Sequence, residues 1–126
     1  MKLLVVEDDR VNQRVIEMLL GKLGIGCVVV ADGASSVQMA TLEPWDAVIM
    51  DCQMPGMDGY EATRRIREKL AGRPLPIIAL TANAMIGDRE LCLAAGMDDF
   101  LAKPVRQEEL RSCLERWLPS SVAKER

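Results

Sequence analysis

The apolar residues of this chain fall into five short runs, separated by stretches in which apolar residues recur every three or four positions. Runs largely without polar alternation are typical of strands buried on both faces of a sheet. They occupy residues 3–6, 27–31, 47–50, 75–80 and 99–102. The stretches between and after them predict helices over residues 10–23, 34–42, 60–70, 84–95 and 106–118.

Five strands alternating with five helices predict an α/β fold in which helices cover both faces of a parallel sheet through right-handed crossovers. The flavodoxin-like, doubly wound strand order 2-1-3-4-5 fits this pattern, with its switch point between strands 1 and 3. We expect residues 1–119 to form one domain and the polar residues 120–126 to form a tail. The third helix carries four basic residues that we interpret as a solvated face: Arg64, Arg65, Arg67 and Lys69.

Composition narrows the possible functions. The chain has 126 residues, a net charge of −3 and no histidine. The lack of a basic surplus argues against direct nucleic-acid binding. No apolar run approaches the length that spans a bilayer, and the N-terminus lacks a signal-peptide pattern. These features predict a cytoplasmic location without membrane contact by this segment.

The four cysteines are scattered, and with no histidine and no ligand spacing they do not indicate zinc. They are Cys27, Cys52, Cys92 and Cys113. We interpret them as reduced, mostly buried thiols. Cys52 directly follows Asp51, so a thiol sensor is an alternative there, but a packed thiol is the interpretation that we favour.

Polar residues stand at the carboxyl ends of four predicted strands, where ligands bind in open α/β sheets. Glu7 and Asp8 follow the first strand, Asp51 the third, Thr81 the fourth and Lys103 the fifth. Each has an ordinary interpretation alone, as a helix cap or a surface charge. In the predicted topology, however, all five lie at one edge of the sheet and would share a pocket.

Three carboxylates that close repel one another unless a cation lies between them. A few hard oxygen ligands with room for water suit Mg²⁺. With Lys103 as a positive charge and Thr81 as a hydroxyl donor, the set suits phosphoryl transfer, in which attack by Asp51 gives an aspartyl-phosphate. The alternative role for Asp51, capping the next helix, fits Asp58 better because Asp58 directly precedes a helical pattern.

The chain resembles the receiver domain of two-component response regulators over essentially residues 3–118. The matching segments are LLVVEDD, DAVIMDCQMPGMDGYEATRRIR, PIIALTANAM and AGMDDFLAKPV. The sequences of these segments are most similar to those of receivers attached to hybrid sensor histidine kinases. A free-standing single-domain regulator is the alternative context.

The resemblance implies specific roles. Asp51 would accept a phosphoryl group from a phosphohistidine on a histidine kinase or a histidine phosphotransfer domain. Asp8 would bind Mg²⁺ directly and Glu7 through water, with Asp51 and the backbone carbonyl of Gln53 as further ligands. Thr81 would bind the phosphoryl oxygens.

The resemblance also implies a switch. Lys103 would bind the phosphoryl group and would precede a cis peptide bond to Pro104, while Thr81 and Phe100 would move together. Phe100 stands where many family members have tyrosine. A phenyl ring can still swing inward and fill space, but it cannot make the hydroxyl hydrogen bond.

The first predicted helix carries more apolar residues than one buried stripe requires. Val11 and Met18 lie seven residues apart on a side that Val15 borders. These are either ordinary exposed apolar residues or a small patch on which a donor helix docks. The resemblance favours docking, and both interpretations stay open.

Two other function classes are weighed against a working receiver. A phosphatase of the haloacid dehalogenase type also uses an aspartyl-phosphate, but its D-x-D spacing and its cap are missing here. An inert pseudo-receiver would have lost Asp51, Asp8 or Lys103, and all three are present.

Overall fold

A computed structural model of the protein describes residues 2–82 and 86–118. Strands and helices alternate throughout, as the apolar pattern predicted. The strands are β1 (Lys2–Val6), β2 (Gly26–Val30), β3 (Ala47–Asp51), β4 (Ile77–Thr81) and β5 (Asp99–Ala102). The helices are α1 (Arg10–Lys22), α2 (Gly33–Leu42), α3 (Gly59–Leu70), α4 (Ile86–Ala95) and α5 (Gln107–Trp117).

The five strands form one parallel sheet in the order β2-β1-β3-β4-β5, which confirms the predicted topology. Its register brings the carboxyl ends of the central strands level with one another. Asp51 pairs with Leu80, the residue before Thr81, and Thr81 pairs with Ala102, the residue before Lys103. Residues that are far apart in sequence therefore meet at one edge.

The core consists of two apolar layers, one on each face of the sheet. Strands β3 and β4 are buried at every position, because helices cover both of their faces. Val48 and Met50 face the layer built from α2, α3 and α4, while Ala47 and Ile49 face the layer built from α1 and α5. Among the described residues, no helix has the length and apolar character that a membrane crossing requires.

Three helices begin at aspartates whose side chains accept a hydrogen bond from the backbone N–H three residues later. They are Asp9, Asp32 and Asp58, with bonds of 3.0, 2.7 and 2.9 Å. The prediction that Asp58 caps its helix is confirmed. Because Asp9 caps α1, the preceding acids Glu7 and Asp8 are not needed for that role.

Some predicted boundaries differ from the structure. β4 begins at Ile77 and not at Leu75, because Pro76 has no N–H to contribute to the ladder. Trp117, the last residue of α5, is 37% exposed, and its indole N–H donates to Asp99. The predicted start of the fourth helix at Ala84 and the tail at residues 120–126 lie outside the described residues.

The prediction that Arg67 belongs to a solvated face was wrong. Its guanidinium donates to the backbone oxygens of Gly96 at 2.9 Å and Leu75 at 2.7 Å, and to Asp98 at 2.7 Å. Asp98 also accepts the N–H of Ile77 at 2.8 Å. Arg67 therefore joins α3 to the start of β4 and to the turn between α4 and β5, at the edge of the sheet opposite the acidic residues.

Replacing Arg67 with methionine should destabilise the protein by about 1–3 kcal/mol, because it removes the donor to two backbone carbonyls and leaves the Asp98 carboxylate without its ion-pair partner. Urea unfolding would measure the change. Arg65→Met is the matched control on the same helix, since Arg65 forms only an exposed pair with Glu61 and its loss should cost less than about 0.5 kcal/mol. Equal losses in the two variants would contradict the assigned role.

Candidate phosphoacceptor site

The structure brings the five predicted pocket residues to the carboxyl edge of the sheet. Glu7 and Asp8 lie in the loop after β1, Asp51 ends β3, Thr81 ends β4 and Lys103 follows β5. Glu7, Asp51 and Thr81 are buried, Asp8 is exposed and Lys103 is partly buried. The pocket therefore has a buried acidic floor and one side that is open to solvent.

Lys103 bridges the two buried carboxylates. Its Nζ lies 3.1 Å from Glu7 Oε1 and 3.1 Å from Asp51 Oδ1. Its backbone N–H donates to the carbonyl of Thr81 at 2.8 Å, and its peptide bond to Pro104 is cis. The lysine is thus attached to the strand next to Asp51 and reaches across to the end of β1.

The acids form a cluster that fits a hard divalent cation. One carboxylate oxygen from each of Glu7, Asp8 and Asp51 lies within 4.8 Å of the others. Asp51 Oδ1 accepts the N–H of Gln53 at 3.1 Å, while the buried Asp51 Oδ2 has no hydrogen-bond partner within the described part of the chain. Oxygen ligands beside exposed Asp8, where water can complete the shell, suit Mg²⁺.

The electrostatics of the cluster also favour a bound cation. Burial, together with the adjacent Asp51 carboxylate, raises the pKa of Glu7 to about 7. Burial alone would lower the pKa of Lys103, but its hydrogen bonds with Asp51 and Glu7 outweigh this and raise it. Three carboxylates facing one ammonium leave a net negative charge that a bound cation would balance.

Two supporting residues were missed by the sequence reasoning. The side-chain amide of Gln13 donates to the backbone oxygen of Glu7 at 2.6 Å, which ties the acidic loop to α1. A Cβ atom on Gly59 would lie 2.1 Å from the carbonyl oxygen of Asp51, so only glycine permits this packing. The position of Gly59 just after the Asp58 cap was a usable signal, whereas nothing in the sequence distinguished Gln13.

The other predicted residues lie around this pocket. Phe100 is partly buried on β5, with the Arg89 guanidinium 5.9 Å from the centre of its ring. On α1, Val11 is 69% exposed, Met18 is 56% exposed and Val15 is partly buried. The predicted apolar patch is therefore at the surface.

A five-stranded, doubly wound α/β sheet with an acidic pocket and a lysine at its carboxyl edge defines a class of cation-dependent phosphoryl-binding domains. Within that class the chain belongs to the response regulator receiver domain family, whose sequence profile matches residues 3–115. It is a receiver domain of the phosphorelay type, homologous to those of hybrid histidine kinases.

Comparisons with characterised proteins agree with this assignment. The chain is 40% identical over 119 residues to the sensor histidine kinase GacS of Pseudomonas protegens, covering 92% of this chain and 13% of GacS. It is 41% identical over 125 residues to hybrid signal transduction histidine kinase G of Dictyostelium discoideum, covering 97% of this chain and 4% of that protein. The chain thus spans a small part of these relatives.

Two solved structures are informative. The receiver domain of the sensor histidine kinase PA1611 from Pseudomonas aeruginosa PAO1 has 53% identity and a TM-score of 0.86, with 94% of this chain and 97% of that chain covered. That domain has a magnesium ion coordinated in its active-site cleft. The Saccharomyces cerevisiae receiver domain of Ssk1, solved with the histidine phosphotransfer protein Ypd1, has 31% identity and a TM-score of 0.86, with 93% and 88% covered.

The raised pKa of Glu7 predicts a distinctive pH dependence. A carboxyl whose pKa is higher in the folded than in the unfolded protein stabilises the fold below its unfolded pKa, and this contribution is lost as pH rises toward about 7. In metal-free protein we expect the Glu7 contribution, on the order of 1–3 kcal/mol, to disappear between about pH 4.5 and 7.

Urea unfolding at several pH values, with and without Mg²⁺, would measure this loss. Mg²⁺ should restore stability above pH 7, and Asp51→Asn should shrink the pH effect because it removes the neighbouring charge. Identical pH profiles for the wild type and Asp51→Asn would contradict the assigned coupling.

Proposed function

We propose that Asp51 is the phosphoacceptor of this receiver domain and takes its phosphoryl group from a phosphohistidine on a partner protein. The observation that carries the proposal is the Asp51 carboxylate itself, which is buried, faces two further acids and a lysine, and keeps Oδ2 without a hydrogen-bond partner in the described structure. A carboxylate held in this way is positioned as a nucleophile.

The chemistry is a direct transfer between two side chains. An oxygen of Asp51 forms a bond to phosphorus as the P–N bond of the phosphohistidine breaks. The leaving imidazole nitrogen keeps the electron pair and takes a proton from solvent. The product is an aspartyl-phosphate on Asp51 and a neutral histidine on the donor.

The surrounding groups stabilise the charge that develops on the phosphoryl oxygens. The Lys103 ammonium, already 3.1 Å from Asp51, can turn toward the phosphoryl group, and Thr81 lies at the end of the adjacent strand. Asp8, Asp51, Glu7 through water, and the backbone carbonyl of Gln53 would hold Mg²⁺. When bound, the ion supplies charge neutralisation for the phosphoryl oxygens.

We also infer a conformational response in which Thr81 and Phe100 shift together. A contact from Thr81 to the phosphoryl group would favour one of two existing states of β4, α4 and β5. The Arg89 guanidinium over the Phe100 ring gives α4 a direct contact with the ring. Such a response can operate without a tyrosine hydroxyl group.

The sequence of the chain favours a place within a hybrid sensor histidine kinase on the cytoplasmic side of the membrane. The support is the similarity to the receiver segments of several such kinases. A free-standing regulator is the second candidate. In either setting this segment carries the acceptor and another domain carries the histidine, since the chain has none.

Replacing Asp51 with asparagine should abolish phosphorylation, because an amide is not a competent nucleophile. Mg²⁺-dependent labelling by acetyl phosphate, read as the mass of the intact protein, would measure this. Asp58→Asn is the matched control, since asparagine keeps the helix cap and should label like the wild type. Normal labelling of Asp51→Asn would exclude Asp51 as the acceptor.

We further propose that the donor docks on the apolar patch of α1 formed by Val11, Val15 and Met18. Val11 and Met18 present exposed apolar side chains on the helix that follows the acidic loop. Val15 continues toward a small cleft of about 50 Å³ that Lys103 and Pro104 also line. The patch is therefore continuous with the proposed site of chemistry.

Met18→Lys should slow transfer from a phosphorylated histidine phosphotransfer protein by roughly tenfold, as expected for losing an apolar contact worth about 1.4 kcal/mol. Labelling by acetyl phosphate should not change. Leu42→Lys is the control, because Leu42 is 70% exposed on a different helix, α2. Slowing in both variants, or in neither, would contradict docking on α1.

A further inference from the structure

Two buried cysteines meet between the acceptor strand and helix α4. The sulfurs of Cys52 and Cys92 are 3.9 Å apart, and each residue is 1% exposed. Cys52 directly follows Asp51, whereas Cys92 lies on α4, forty positions further along the chain. All four cysteines of the protein are free thiols. The sequence showed Cys52 as a single thiol beside Asp51, and only the fold supplies its neighbour.

The pair is close to the surface on one side. An open cleft of about 510 Å³ is bordered by the loop after β3 and the start of α3. Its lining residues are Cys52, Gln53, Met54, Pro55, Asp58 and Tyr60. Cys52 therefore borders this cleft, whereas Cys92 is not among the residues that line it.

We propose that Cys52 and Cys92 form a modification site, a dithiol that hydrogen peroxide oxidises to a disulfide, fastening α4 to the loop that follows the phosphoacceptor. The remaining two cysteines offer a comparison within the chain. Cys113 is buried in the other core layer, and Cys27 lies on the edge strand β2.

Hydrogen peroxide would oxidise the two thiols to a disulfide in two steps. The sulfur of Cys52 attacks one oxygen of hydrogen peroxide, the O–O bond breaks and water leaves, so that Cys52 becomes a sulfenic acid. The sulfur of Cys92 then attacks the sulfenic sulfur, the S–O bond breaks and a second water leaves. Two thiols lose two electrons and two protons, and the peroxide is reduced to two molecules of water.

Geometry permits the second step after a small movement. A disulfide requires sulfurs about 2 Å apart, so rotation of the two side chains must shorten the 3.9 Å separation by about 2 Å. Burial raises the pKa of Cys52 to about 12 and also raises that of Cys92.

The consequence for signalling rests on the proposed function. If α4 shifts when Asp51 is phosphorylated, a covalent bond from residue 52 to residue 92 would hold the helix in its resting position. The bond does not replace any ligand or donor of the pocket, so the chemistry at Asp51 would continue. Oxidation would then separate phosphorylation from the conformational response.

The chemical part can be tested directly on the whole chain. After peroxide treatment and unfolding, a thiol reagent should count two free thiols in place of four, and peptide mapping should find Cys52 joined to Cys92. Cys52→Ser should prevent the joined peptide, while Cys113→Ser, a buried control, should leave it intact. No joined peptide, or one built from other cysteines, would overturn the site.

The restraint on α4 can be tested by comparing amide spectra of the reduced and the oxidised protein. Each is recorded with Mg²⁺ and beryllofluoride, which imitates the phosphoryl group. Reduced protein should show shifts over residues 88–100, and oxidised protein should show clearly smaller ones that return with a reductant. Equal shifts in both forms would overturn the restraint. If the reduced form shows no shifts, the proposed conformational response to phosphorylation is wrong. The disulfide is judged separately, from the peptide map alone.

Discussion

The Lys103 ammonium between the carboxylates of Glu7 and Asp51 is the interaction on which the rest of the pocket depends. Both acids are buried at the ends of adjacent strands, where unpaired charges would be strongly unfavourable. Lys103 balances only part of that charge, which leaves the pocket in need of a cation. The uncompensated charge therefore costs the fold some stability.

The local structure around the pocket keeps these charges in place. Asp9 caps α1, so that the side chains of Glu7 and Asp8 remain available to the pocket. Gln13 holds the backbone of the acidic loop, and Gly59 lets the start of α3 pack against the carbonyl of Asp51. At the opposite edge of the sheet, Arg67 joins α3 to the start of β4 and to the turn between α4 and β5.

Much of this arrangement was predictable from the sequence, for a clear reason. Strands buried on both faces leave uninterrupted apolar runs, and the polar residue that ends each run marks the carboxyl edge. The inferred strand order places Asp51 and Lys103 at the same edge with only β4 between them, a distance that a lysine side chain can span. The roles of Arg67 and Cys92 were not predictable, because each depends on contacts between elements that a one-dimensional pattern does not record.

Phe100 shows how the conformational response could work without the hydroxyl group that its family usually has. A cation–π contact such as that with Arg89 is worth about 0.5–1 kcal/mol at an exposed site, which is comparable to one ordinary hydrogen bond. An energy of about 1 kcal/mol changes the ratio of two states roughly fivefold. A guanidinium contact made in only one of the two states can therefore supply a bias of the size that a tyrosine hydrogen bond supplies. Since Arg89 and Cys92 both lie on α4, the same helix carries the contact that would bias the switch and the thiol that would restrain it.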